Sequence, residues 1–184
     1  MVAPQMVLCD DGCLRHLGSG FLFPPSLGAL PRTEVKLYDD LEQGVGVTYR
    51  SSEAGRPWAT LFVFPGRPGC GILDAFRGSE IEIMSVHEDV VVRGRRRFAV
   101  SFEGARRALG MGLEVTAKCG PASLPEVPIR AHLLVLQAAN WFLKVRVTVV
   151  EEHARSGVAL LSLALKETIR RYLSVLPESD AGPR

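Results

Sequence analysis

Apolar and polar residues alternate through most of the second half of the chain. Trp141, Leu143, Val145, Val147 and Val149 fall on every second position, with Phe142, Lys144, Arg146, Thr148 and Val150 between them. A period of two marks a strand with one buried face. The same alternation runs through Ile129, Ala131, Leu133 and Val135, through Leu109 to Cys119, and through Phe98, Val100 and Phe102. Earlier in the chain, Glu34 to Tyr38, Val45 to Tyr49 and Trp58 to Pro65 read as strands, the last two as a hairpin around the turn residues Ser51 to Pro57. Gly20 to Pro24 is a short apolar strand stopped by Pro24-Pro25.

Two segments break this rhythm. Between Arg155 and Leu176, apolar residues recur at Val158, Leu161, Leu165, Ile169, Tyr172 and Leu176, with Lys166, Glu167, Arg170 and Arg171 opposite. That spacing predicts a long C-terminal helix, capped by Ser156 and stopped by Pro177. Over residues 79–91, Ile83, Val86 and Val90 stand at helical spacings and Glu82, Ser85, Glu88 and Asp89 fall on another side, which predicts a middle helix. Val90-Val91-Val92 favours strand instead. The alternative is therefore a strand ending at Arg93 and paired to the next through RGRRR.

The last two strands can be aligned on paper. With Ala138-Ala139-Asn140 as a three-residue loop, Gln137 faces Trp141, Val135 faces Leu143 and Leu133 faces Val145. Every odd position then meets an odd one, and a one-residue slip would set oily positions against polar ones. The reverse side carries Arg130, His132, Lys144 and Arg146 beside Leu134, Leu136 and Phe142. The odd face needs a cover, which the leucine stripe of the C-terminal helix supplies at roughly 1.5–3 kcal/mol per buried Leu or Val. The bare side of Gly110 and Gly112 invites another cover, the middle helix ahead of a ligand.

The class expected is α+β: a mainly antiparallel sheet of about six or more strands with a middle helix and a long C-terminal helix packed on it. A chain of 184 residues makes one domain. Its expected limits are 20–176, between a flexible leader over 1–19 and a frayed tail over 177–184. Three pieces, GFLFPPSLGALPR with YDDLEQGVGVTYR, PWATLFVFP, and NWFLKVRVTV leading into the last helix, resemble a set of uncharacterised bacterial proteins. The order of elements is similar to the Mog1/PsbP-like sandwich. That resemblance implies an accessory or partner-binding protein rather than a shared catalytic mechanism. It also implies an export signal, which the chain as given does not show.

Composition changes this picture little. Hydrophobic residues make up 47% and charged residues 23%, which excludes wholesale disorder, and a net charge of +2 gives no strong pull toward nucleic acid. Val7-Leu8-Cys9 follows no apolar run, and nothing approaches about 18 consecutive apolar residues, so neither signal peptide nor membrane span is expected. The cytoplasm is then the expected compartment, with export if translation starts upstream. Cys9, Cys13 and His16 offer three soft ligands where a structural zinc site takes four, so no metal is expected.

No HExxH, GxSxG or phosphate-binding glycine loop is present, so no catalytic residue and no cofactor is expected. Arg93, Arg95, Arg96 and Arg97 form a basic loop in this reading, solvated rather than pooled with Arg106 and Arg107. Arg130, His132, Lys144 and Arg146 are the best candidates for binding. Together these features predict a non-enzymatic interaction protein that binds a protein partner through a sheet face or loop. One alternative is a carrier of a small anionic or amphipathic ligand held between sheet and middle helix near Lys144 and Arg146. The other is an enzyme with an unrecognised site. The pattern sets no oligomeric state.

Overall fold

The computed structural model describes residues 6–38, 44–53, 57–101, 107–119, 127–138, 140–155, and 158, 159, 162, 163, 165, 166 and 169. Its elements follow as β1 (Met6–Leu8), β2 (Leu14–His16), β3 (Leu22–Phe23), β4 (Ser26–Leu27), β5 (Leu30–Leu37), β6 (Val45–Arg50), β7 (Trp58–Pro65), α1 (Ile72–Val86), β8 (Glu88–Ser101), β9 (Arg107–Cys119), β10 (Val127–Ala138) and β11 (Trp141–Val150), closed by a 3-10 turn at Glu151–His153. Strands β4 to β11 form one eight-stranded sheet in the order β4-β5-β6-β7-β11-β10-β9-β8, and β1-β2-β3 form a small second sheet. All strand pairs are antiparallel.

The expected register of the last hairpin is corrected. Ala138 pairs with Trp141, so the loop has two residues rather than three, and Leu133 meets Arg146 while Leu134 meets Val145. A two-residue loop suits the right-handed twist of the strands it joins. The slip is tolerated because the middle of β10 is apolar in both phases, with Leu133 and Val135 on one and Leu134 and Leu136 on the other, and each phase meets a core. Leu133 and Val135 turn to one face, Leu136 to the other.

Two cores result. On the first face, Ala59, Leu61 and Val63 of β7 stand with Leu143, Val145 and Val147 of β11 beneath Phe21, Phe23 and Leu27. On the second, Phe76 and Ile83 of α1 pack on Met111, Leu113, Val115, Leu133, Val135 and Phe142. These are called the leader face and the helix face below.

The leader face takes its name from a second correction. Residues 1–19 were expected as a loose leader, yet β1 and β2 lie within them, and Cys13, His16 and Ser19 are buried. Strands of three residues are too short to show alternation. Side-chain bonds hold them instead. His16 Nδ1 and Ser19 Oγ stand 2.8 Å apart, and the His16 ring meets Trp141 edge-on at 5.1 Å. Arg32 donates to the carbonyls of Phe23 and Gly12, tying the small sheet to β5.

The middle helix lies earlier than its expected 79–91. It starts after Gly71, whose N–H donates to the Asp74 carboxylate at 3.0 Å, and ends at Val86. Val90-Val91-Val92 then follow their strand preference inside β8, which runs through the whole RGRRR stretch rather than leaving it as a loop. The cover over Gly110 is also corrected. Phe98 of β8 lies there, 2.2 Å from where a Cβ would stand, on the face away from α1.

The helix expected over 155–176 falls mostly outside the described residues. Those described at 154–155, 158–159, 162–163, 165–166 and 169 have helical backbone. Ala154 and Ile169 are buried in the leader-face core, with Val158 and Leu165 packed against it.

Candidate ligand cleft

The slipped register divides the four residues expected to form one site. Lys144 and Arg146 stand on the helix face with Leu133 and Val135, whereas Arg130 and His132 share the opposite face with Val149 and Val147. Arg130 is held there by two carboxylates, with its guanidinium 3.2 Å from Glu114 and 3.2 Å from Glu151. His132 sits across from Glu114 in the β9–β10 register, but that carboxylate is bound to Arg130. Its Nε2 is buried without a hydrogen-bond partner, and burial first of all holds its pKa below the ordinary imidazole value. His132, Glu114 and Arg96 line a second hollow of about 540 Å³ on the leader face, floored by Leu134, Val145 and Val147.

Arg93, Arg95, Arg96 and Arg97 do not share one face, although Arg96 and Arg97 both border the second hollow. Strand alternation sends Arg95 to the helix face, where it binds Glu80 of α1, and Arg96 to the other beside Gly112. Arg93 donates to Thr116 at 3.1 Å.

Lys144 and Arg146 stand in a larger cleft of about 660 Å³ between α1 and strands β6, β7 and β11. Its floor comes from the even positions of β7 and β11: Phe62, Phe64, Phe142 and Lys144. The register sets Lys144 directly beside Phe62 and Phe142 beside Phe64. The Phe64 and Phe142 rings stack at 5.5 Å. The Lys144 ammonium lies over the Phe62 ring at 4.2 Å and near that of Phe64 at 5.9 Å. A desolvated ammonium over aromatic faces gains electrostatic attraction from their π-clouds, of order 1–2 kcal/mol.

The remaining compensation comes from α1. Lys144 Nζ donates to Glu82 Oε2 at 2.6 Å. The two partners differ sharply: the lysine side chain is 9% exposed and the glutamate 62%. The cation is thus built into the floor, and its counter-ion reaches down from the rim. Next along β11, Arg146 donates to His87 Nε2 at 2.7 Å. An accepting Nε2 puts the imidazole proton on Nδ1, which is buried without a partner. Burial, then the adjacent guanidinium, lowers the His87 pKa.

Tyr38 closes one end of the cleft, its ring 5.7 Å from that of Phe62. It can cross β6 only because position 46 is glycine, where a Cβ would stand 2.6 Å from the tyrosine ring. Burial and the nearby Glu34 and Glu82 raise the Tyr38 pKa.

The sequence pointed to Lys144 and Arg146 but not to Glu82, Phe62, Phe64 or Tyr38. One signal was available: Phe62 and Phe64 are apolar on the supposedly polar phase of PWATLFVFP, as a strand buried on both faces requires. Among the described residues, no group of three His, Cys, Asp or Glu is placed to hold a metal ion, and no helix is long and apolar enough to cross a membrane.

No protein-family model matches the chain, and no curated protein matches it by sequence. By structure it is similar to the cyanobacterial PsbP protein, CyanoP, of Synechocystis sp. PCC 6803. The TM-score is 0.51 at 12% identity, over 90% of this chain and 91% of that one. It is also similar to PA94, a Pseudomonas aeruginosa protein of unknown function, with a TM-score of 0.43 at 10% identity over 95% and 99% of the two chains. The chain has a PsbP-like α+β fold.

Proposed function

We propose that the chain is a non-enzymatic binding protein that holds a small molecule with an apolar body and an anionic head in the cleft beneath α1. One observation carries this reading: a deeply set ammonium on an aromatic floor, neutralised among the described residues by a glutamate that water already reaches. An incoming carboxylate can take the place of Glu82 on Lys144 while its apolar part lies on Phe62, Phe64 and Phe142. A volume of about 660 Å³ suits a small ligand. A protein partner bound through a flat sheet face, the other expectation from sequence, makes no use of such a hollow. For an enzymatic reading, the described carboxylate across from His132, Glu114, is already paired with Arg130.

The test is an NMR titration with benzoate, phenylacetate and octanoate, following amide signals of β7, β11 and α1. Saturable shifts confined to those elements are expected, with affinity weakened at least about tenfold by Lys144→Met. The absence of any saturable shift up to about 10 mM, or equal binding by the variant, overturns the proposal.

A further inference from the structure

We propose that two copies of this chain pair edge to edge through β5, antiparallel and centred on Val35, an interface that meets the cleft at Tyr38.

The edge is open among the described residues. β4 pairs with β5 only through Ser26 with Pro31 and Leu27 with Leu30, and the Arg32 N–H donates to the Pro25 carbonyl at 2.9 Å. Past Arg32 no described strand lies on the outer side of β5. Val35 is 43% exposed, Leu37 40% and Tyr38 52%. The Tyr38 N–H donates to the Gly44 carbonyl at 2.8 Å, which fixes the phase of the β5–β6 ladder. Tyr38, Lys36 and Glu34 direct their backbone groups toward β6, so Val35 and Leu37 direct theirs outward. An unpaired edge of this kind is a template for another strand.

Charge selects the occupant and the register. With Val35 opposite Val35 of the second copy, the two residues exchange a pair of backbone hydrogen bonds. Glu34 of each copy then stands directly across from Lys36 of the other, twice by symmetry. Sliding the second strand by two residues either way keeps the backbone phase but sets Lys36 against Lys36 or Glu34 against Glu34. Opposite charges directly across a ladder are stabilising and like charges destabilising. Glu34 and Lys36 thus block the two neighbouring registers and permit the central one. The interface is the same patch on both copies, as a two-fold dimer requires. Pairing the opposite edge, β8, with itself about Arg96 would crowd Arg95, Arg96 and Arg97 against those of the other copy.

The contact is short, so the dimer is expected to be weak and concentration-dependent. Sedimentation of the full chain from about 10 µM to 1 mM should show a monomer–dimer equilibrium. Val35→Pro removes an outward donor without touching the ladder to β6, and should leave a folded monomer. Glu34→Lys and Lys36→Glu should each weaken self-association by about tenfold or more. Mixed together, those two variants should recover a heterodimer, because both cross-strand pairs become complementary. The double exchange Glu34→Lys with Lys36→Glu should restore the homodimer. A chain that stays single at about 1 mM, even if its β5 signals respond to an unrelated extended peptide, overturns the proposal. So does a dimer indifferent to Val35→Pro or to the charge exchanges.

Discussion

The two sides of β11 set an apolar row against one that carries charge. On the leader face, Leu143, Val145, Val147 and Val149 are each under 5% exposed and belong to one apolar core. On the helix face, Phe142, Lys144 and Thr148 are also buried, and Arg146 is half-buried between them. The first side is covered by the small N-terminal sheet and by Ala154 and Ile169, and the second hollow opens beside them onto Val145 and Val147. The second is closed by a single helix that leaves a cleft over the β7–β11 end. One strand therefore anchors the fold with its odd residues and, in the function we propose, presents a cation to a ligand with its even ones. Depth alone does not tell a structural side chain from a functional one; the partner does.

Substitutions should separate the two sides. The largest effect is expected from Leu61→Ala, which empties a fully buried site in the leader-face core. A loss of about 2–5 kcal/mol in unfolding free energy should appear in urea titrations. Lys144→Met on the other side should shift stability by only about 1 kcal/mol in either direction. It removes an ammonium that is costly to bury, and Glu82 is exposed enough to return to water. Equal losses from the two substitutions would make Lys144 a structural residue and erase the distinction.

The smallest effect is a dependence on pH. Burial lowers the folded-state pKa of both His87 and His132, so the unfolded chain binds more protons as pH falls through the ordinary imidazole value near 6.5. Their contribution is present above that value and is lost as pH falls toward the depressed folded values. Urea midpoints measured at about pH 8 and pH 5 should therefore fall on acidification. His87→Gln should remove the part of that slope belonging to the helix face and His132→Gln the part belonging to the leader face. A slope unchanged in the double variant would assign it to other groups.

Much of the sheet was legible in the sequence, as the runs Leu109 to Cys119, Ile129 to Val135 and Trp141 to Val149 show. Alternation reports that a strand has two sides, but it does not say which side of one strand lies beside which side of the next. That choice rested on one residue in the 138–140 turn. When it fell the other way, Arg130 and His132 parted from Lys144 and Arg146. β1 and β2 were hidden for a different reason: three residues carry no period. The start of α1 lay behind the glycines at 69 and 71, and Gly78 interrupted its stripe.

By itself, then, the chain's pattern determined an antiparallel α+β domain, the positions of its long strands, and Lys144 and Arg146 as cations set among apolar neighbours. Local side-chain period is enough for that, because it reflects only which residues leave water. Tertiary structure decided the rest: the two-residue hairpin, the burial of both sheet faces, and the meeting of Lys144 with Phe62 and Glu82, residues 82 and 62 positions away along the chain. Such meetings depend on register and on where a helix comes to lie, and a single strand's sequence encodes neither.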